Sequence, residues 1–321
     1  MNLKYLEEPD KLLDTAFSQG RKAGARYPKQ KRPFYTIKGK EIAKIDLSAA
    51  YLEEALMKVV HEFPSIEKLE PFYRDLVKSV IDADETRKAL SKISGVAKLV
   101  KRQRTMHIVK LKEMRYEAGG AGKAKDLSRA YFGRVSSMIK SLKKPIKIYN
   151  DSARKMRELP SIKTDEESII FAGLPNVGKS TLLRKITGSR VKVAHYPFTT
   201  KGLNVGYITK KHIRIQAIDT PGLLDRPLHE RNKIEMKAIS ALQYLKGTVV
   251  FVVDPQEDLD RQRGLFDELK KLFTKQKFIV AISKSDLASK EEVKAAEQAF
   301  KGLKKVIEGP EMDNLEEELL V

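Results

Sequence analysis

The stretch Ser168-Ile169-Ile170-Phe171-Ala172-Gly173-Leu174-Pro175-Asn176-Val177-Gly178-Lys179-Ser180-Thr181 decides how this chain is read. A short apolar run ends in a glycine-rich loop of pattern GxxxxGK[ST], Gly173 to Ser180, and a helical pattern opens at Lys179. Strand, loop and helix in that order make a phosphate-binding loop. Gly173 and Gly178 allow a backbone approach that a side chain would block. The amides of residues 176–181 then converge on an anion at a helix N-terminus. Lys179 adds a point charge for β- and γ-phosphates, and the Ser180 hydroxyl is a candidate Mg2+ ligand.

Working outward to the C-terminus, β-rich apolar runs alternate with helical patterns: LNVGYIT, IRIQAID, TVVFVVD and KFIVAIS, with helices around 235–244, through 265–273 and from Lys290. This alternation predicts a doubly wound, mostly parallel sheet with ligands at the C-terminal strand ends. Asp219-Thr220-Pro221-Gly222 ends IRIQAID. An acid there holds Mg2+ through water, and the Gly222 amide reaches a γ-phosphate. Ser283-Lys284-Ser285-Asp286 ends KFIVAIS. The Asp286 carboxylate accepts two hydrogen bonds from guanine that adenine does not offer in that pattern. The Lys284 stem covers the base face. Ser283 stands where GTPases usually carry Asn, so weaker or water-mediated bracing of the phosphate loop is expected.

Toward the N-terminus the periodicity is helical from Leu3 to about Leu159. One helix is expected to start at Ser48 and run to Phe63, a second to cover PFYRDLVKSVI and a third to run from Ala83 to about Tyr116. After Gly119-Gly120-Ala121-Gly122, another is expected from about Lys125 to Leu142. Pro145 is expected to break it, and a last helix covers roughly 146–159. The expected domains are a basic helical bundle over 1–160 and a P-loop domain over 161–321. The 321-residue chain carries a net charge of +20. Residues 1–160 hold 36 Lys+Arg against 20 Asp+Glu, and residues 161–321 hold 27 against 23.

That excess is clustered. Arg21, Lys22, Arg26, Lys29, Lys31, Arg32, Lys38 and Lys40 lie in a stretch without acids, interleaved with Tyr27, Phe34 and Tyr35. Lys92, Lys98, Lys101, Arg102, Arg104, Lys110 and Lys112 form a second such stretch. Arg129, Arg134, Lys140, Lys143, Lys144 and Lys147 form a third. Such density favours phosphate contacts, and interleaved aromatic rings suit unpaired bases. The chain has no cysteine, which excludes disulfides, thiolate metal sites and Cys nucleophiles. No run has the apolar length of a signal peptide core or a membrane span, so a cytoplasmic chain with no membrane partner, monomeric when free, is expected.

The phosphate loop, Tyr196-Pro197-Phe198-Thr199-Thr200-Lys201-Gly202 and Asp219-Thr220-Pro221-Gly222-Leu223-Leu224-Asp225-Arg226-Pro227 together resemble the Obg-related translation-factor GTPases. The Lys-Gly after the threonines and Leu-Leu-Asp-Arg-Pro are similar to the nucleolar G-protein (Nog) family of ribosome-assembly GTPases. The segments Pro71–Leu76, Tyr131–Ser137 and Leu159–Ile162 resemble that family's helical N-terminal domain. The resemblance covers essentially the whole chain. Because the chain ends soon after the P-loop domain, it is similar to a compact archaeal-type member.

The resemblance implies that Thr200 ligates Mg2+ and senses the γ-phosphate, with Thr199 as the fallback. It implies a GTP-binding, GTP-hydrolysing assembly factor whose N-terminal helices bind large-subunit rRNA or a pre-ribosomal particle. Leu223 stands where Ras-type GTPases place the water-orienting Gln, so slow hydrolysis is expected. Asn176 matches an asparagine that in related GTPases ligates a catalytic K+; its alternative role is bracing the loop. Two rival readings remain at this point. One is a signalling GTPase whose basic bundle binds an acidic protein, and the other is a nucleotide-tuned structural protein with negligible turnover.

Overall fold

The computed structural model describes residues 3–188, 191–194, 196, 202–210, 213–303 and 305–307. The chain divides into two compact units. The first comprises Met1–Ser65 and Ile81–Arg157, the second Ile66–Val80 and Glu158–Val321.

The first unit is built from helices α1 (Pro9–Arg26), α2 (Pro33–Glu62), α4 (Ala83–Glu113), α5 (Gly120–Lys140) and α6 (Lys143–Arg157). Proline opens α1 and α2, where its missing N–H costs nothing. Asp82 caps α4 by accepting the amides of Asp84 and Glu85 at 3.0 and 2.9 Å. Leu12, Ile45, Leu52, Leu56, Ile93, Val100, Tyr131 and Tyr149 fill the core. Burial pushes the phenols of Tyr131 and Tyr149 up to about 12.

Three boundaries differ from the sequence reading. Ser48 does not start a helix: α2 runs through it, and its buried hydroxyl donates back to the Ile45 carbonyl at 3.1 Å. The apolar stripe is already present upstream at Phe34 and Ile45, so α2 begins at Pro33. The glycine segment is not all hinge, because only Gly119 takes a left-handed φ (+76°) and Gly120 already belongs to α5. The break falls at residues 141–142, ahead of Pro145, which sits in the first turn of α6 where proline is tolerated rather than after the break as expected.

The second unit holds a seven-stranded sheet of order β2-β3-β4-β1-β5-β6-β7. Its strands are β1 (Glu167–Ala172), β2 (Lys192–Ala194), β3 (Leu203–Lys210), β4 (Ile213–Asp219), β5 (Gly247–Val253), β6 (Lys277–Ile282) and β7 (Lys305–Ile307). β2–β3 and β3–β4 pair antiparallel, and the remaining pairs are parallel. Helices α7 (Lys179–Thr187), α8 (Lys233–Leu242), α9 (Leu259–Leu272) and α10 (Lys290–Ala299) complete the alternation. β1 and β5 are buried on both faces, which is why they read as unbroken apolar runs. The fold is therefore a helical domain followed by a P-loop domain with a mostly parallel sheet. Helix α3 (Pro71–Val80) belongs to this second unit rather than the helical one. Phe72 and Leu76 are buried in the sheet unit's apolar core, and the Tyr73 hydroxyl accepts the Ile162 amide at 2.8 Å. Among the described residues, no helix is long and apolar enough to cross a membrane.

Candidate nucleotide site

The site grows from the end of β1. Gly173 has φ +137°, and a Cβ there would lie 2.4 Å from the Val252 carbonyl of β5, so no side chain fits the turn. Leu174 and Val177 pack into the core, while Pro175 and Asn176 face outward. The chain then enters α7 at Lys179. That lysine is nearly buried, and its ammonium donates to the carbonyls of Gly173 and Leu174 at 2.8 and 2.6 Å. Burial holds its pKa below the ordinary lysine value, opposed by the charges of Asp219 and Asp225.

Pro175, Asn176, Gly178, Lys179, Ser180 and Thr181 line a cavity of about 710 Å³ with Arg184, Asn204, Pro221, Gly222 and Asp225. Its volume suits a nucleotide. Asp219 ends β4 in register with Phe171 of β1, which carries its carboxylate to the phosphate loop. The Ser180 hydroxyl donates to Asp219 Oδ2 at 2.5 Å, and the Asn204 amide donates to the same oxygen at 3.0 Å. Asp219 Oδ1 is buried and has no hydrogen-bond partner among the described residues. An orphaned carboxylate oxygen beside a serine hydroxyl is a donor set that fits a hard divalent cation completed by water and phosphate. Thr199 and Thr200 lie outside the described residues.

The loop after β4 departs from the simple expectation. The Gly222 amide, expected to face a γ-phosphate, donates instead to Asp225 Oδ2 at 2.7 Å. The Arg231 guanidinium, whose side chain is fully buried, holds the arrangement. It donates to the carbonyls of Gly222 and Leu223 at 2.8 Å each and to Asp225 Oδ1 at 3.2 Å. Leu223 is buried and so orients no water. Asn176, at φ +63°, has no bracing hydrogen bond among the described residues. Tyr196 is a packing residue: it is buried, and its hydroxyl donates to the Ala238 carbonyl at 2.7 Å.

Bracing of the phosphate loop by Ser283 is direct rather than water-mediated. Its hydroxyl lies 2.7 Å from the Val177 carbonyl and 3.1 Å from the Val253 carbonyl. Serine suffices because β6 brings its Cβ to 3.6 Å from where a Cβ on Gly178 would stand. Lys284 has φ +52° and pairs with the buried Asp254 at 2.6 Å. Asp286 is exposed beside them. Neither Ser283 nor Asp286 lines the phosphate cavity itself. Sequence reading passed over Asn204, Arg231 and Asp254, and it gave Asp225, present in the Leu-Leu-Asp-Arg-Pro motif, no role in the site. Only Asp254, the acid ending TVVFVVD, carried a positional signal, matching Asp219 at the end of a neighbouring strand.

In the helical unit, not every clustered cation or ring is free for a ligand. Phe34 is buried. The Lys38 ammonium caps α4 through the carbonyls of Lys112 and Met114 at 2.6 and 2.9 Å. Arg104 pairs with Asp46 at 2.7 Å. By contrast Arg21, Lys22, Arg26, Arg102, Lys110 and Arg134 are exposed.

Residues 2–163 match the NOG1 N-terminal helical domain, and residues 168–284 match the family described as 50S ribosome-binding GTPase. An uncharacterized protein of Methanocaldococcus jannaschii, MJ1408, is 38% identical over 292 residues, covering 89% of this chain and 80% of that protein. Nucleolar GTP-binding protein 1 of Drosophila melanogaster is 34% identical over 273 residues, covering 84% of this chain and 40% of its own length. The protein of that name from Encephalitozoon cuniculi is 34% identical over 307 residues, covering 91% of this chain and 56% of its own length. The chain thus spans about half or less of these eukaryotic relatives. With its helical domain, its GTPase domain and this identity over most of its length, the chain belongs to the NOG1 family of GTP-binding proteins.

Proposed function

We propose that this protein is a GTP-controlled assembly factor of the large ribosomal subunit that binds rRNA through its helical unit. The observation that carries the proposal is the pairing of a strongly basic NOG1 helical domain with a GTPase domain in one chain. The names of the relatives and of the GTPase family support a ribosomal target. In this reading the helical unit, residues 1–65 and 81–157, serves RNA and the sheet unit serves the nucleotide, in the cytoplasm.

In this reading each residue of the site takes one role. Gly173 to Thr181 cradle the α- and β-phosphates, and Lys179 exchanges its two carbonyl partners for β- and γ-oxygens. Asp286 selects guanine while Asp254 fixes Lys284 against the base. Ser180, Thr200 and, through water, Asp219 would hold Mg2+, which would supply positive charge against the phosphates. Gly222 reports the γ-phosphate. Leu223 leaves the attacking water without an orienting amide, so unstimulated hydrolysis is slow. The outward Asn176 would be the K+ ligand, and that ion would supply charge where other GTPases use an arginine.

Co-sedimentation with large ribosomal subunits at moderate salt tests the target. Retention in the GTP-analogue state supports it, and free protein in every nucleotide state refutes it. Phosphate release measured with the particle in K+ and then in Na+ tests the hydrolysis step. A faster rate in K+ is expected, and a rate indifferent to the cation removes the role given to Asn176.

A further inference from the structure

The helical unit contains a cavity of about 380 Å³ between α1, α2 and α5 that the nucleotide site does not use. Two half-buried rings stand at it, Phe17 and Phe132, with centroids 4.8 Å apart and planes at 76°. Around them are four cations, the exposed Arg21, Lys125 and Arg129 and the half-buried Lys44. The wall also carries two nearly buried polar groups. Glu41 is 6% exposed and pairs with Lys44 at 2.8 Å. Ser128 is 2% exposed, and its Oγ has no hydrogen-bond partner among the described residues.

These features point to one ligand chemistry. A half-exposed aromatic pair offers a stacking face to a planar ring. Cations at the mouth suit a phosphate. A buried hydroxyl without a partner is costly in an apolar wall, and a ligand that hydrogen-bonds to it recovers that cost. Glu41 is an acceptor suited to an exocyclic amino group. A purely apolar ligand would leave the Ser128 hydroxyl without a partner, and a bare phosphate would not use the rings. The volume exceeds what a single base needs and lies within the range of small-ligand sites.

We propose that this cavity receives one looped-out nucleotide of structured RNA, its base against Phe17 and Phe132, its edge read by Ser128 and Glu41 and its phosphate held by the surrounding cations. The inference rests on the RNA-binding reading above and adds where, and in what form, a base is read. Fully paired A-form RNA exposes no base face, so this site needs a bulge or a loop.

The experiment uses the whole 321-residue chain and two RNA hairpins of equal length, one with a single bulged adenosine and one fully paired. Stacking on an aromatic residue typically yields a gain of about fivefold to a hundredfold in affinity. The bulged hairpin is expected to bind tighter by a factor in that range. Phe132→Ala is expected to abolish the preference. Ser128→Ala, which removes a hydroxyl without a protein partner and leaves the rings in place, is expected to reduce it while the protein melts no earlier. Lys125→Gln is expected to weaken both hairpins alike. Equal binding of the two hairpins by the unaltered protein overturns the inference and leaves the RNA-binding reading standing. Absence of salt-sensitive binding to either hairpin overturns both. A bulge preference intact in Phe132→Ala and Ser128→Ala overturns the assignment to this cavity. Displacement of the bulged hairpin by micromolar adenosine monophosphate overturns the RNA source in favour of a free nucleotide.

Discussion

Asp225 occupies the amide that the proposed mechanism reserves for the γ-phosphate, and replacing it by Asn tests that conflict. A γ-phosphate oxygen reaching the Gly222 N–H must displace a carboxylate bound there at 2.7 Å. A hydrogen bond to a charged group contributes about 1.5–3 kcal/mol, against about 0.5–1.5 kcal/mol for a neutral one. Asp225→Asn keeps one oxygen acceptor for the Gly222 amide and turns its NH2 toward Arg231, so with the oxygen at Gly222 the cost of displacement falls by roughly 1–1.5 kcal/mol. It also removes a negative charge from the cavity that receives the triphosphate. Arg231 loses its bond to Asp225 Oδ1 but keeps those to the Gly222 and Leu223 carbonyls, which hold the course of the loop. Affinity for a non-hydrolysable GTP analogue should therefore rise about five- to tenfold. GDP, which has no phosphate at Gly222, should change by less than about twofold. Fluorescence titration with labelled analogues in Mg2+ measures both. An equal shift for the two nucleotides, or weaker binding of the triphosphate, refutes the view that Asp225 competes with the γ-phosphate.

Three further outcomes follow from other parts of the molecule. Ser283→Ala removes the donor to the Val177 carbonyl and should cost about 1 kcal/mol, read as a roughly fivefold faster GDP dissociation in stopped flow. Gly247→Ala places a Cβ 2.0 Å from the Ser168 carbonyl at φ +125°, and should destabilise the sheet unit by about 3 kcal/mol or more in a denaturant titration. Burial lowers the His107 pKa below 6.5, with Arg134 and Lys110 adding to the effect against a hydrogen bond to the Gln103 carbonyl. The unfolded chain then binds the proton first, so stability of the helical unit is present above pH 6.5 and falls as the pH drops below it. An NMR titration placing His107 above 6.5 contradicts this.

What the sequence discloses depends on whether the deciding interaction is local. β1, β5 and β6 are legible because strands buried on both faces are apolar throughout. The phosphate loop is legible because its residues are consecutive and their spacing carries the chemistry. Helix α3 is legible as a helix but not as part of the sheet unit, since an apolar stripe such as Phe72 and Leu76 does not say which core it enters. Ser48 misleads because a serine suits a helix start and also satisfies itself inside a helix by bonding to Ile45. β2 and β7, at three residues each, are too short to show a period. In the site, Asp225 and Arg231 are ordinary charged residues whose meaning comes from folding a loop back onto Gly222. The cavity beside Phe17 and Phe132 draws on three helices and is invisible to any local pattern.

The central claim is that the nucleotide controls RNA binding. Its most direct test is the affinity of the whole 321-residue chain for large-subunit particles, measured at one fixed salt concentration with GDP and then with a non-hydrolysable GTP analogue. Nucleotide control requires the two affinities to differ, and by linkage the particle must change the GTP-analogue/GDP affinity ratio by the same factor. Identical particle affinity in both nucleotide states would contradict it.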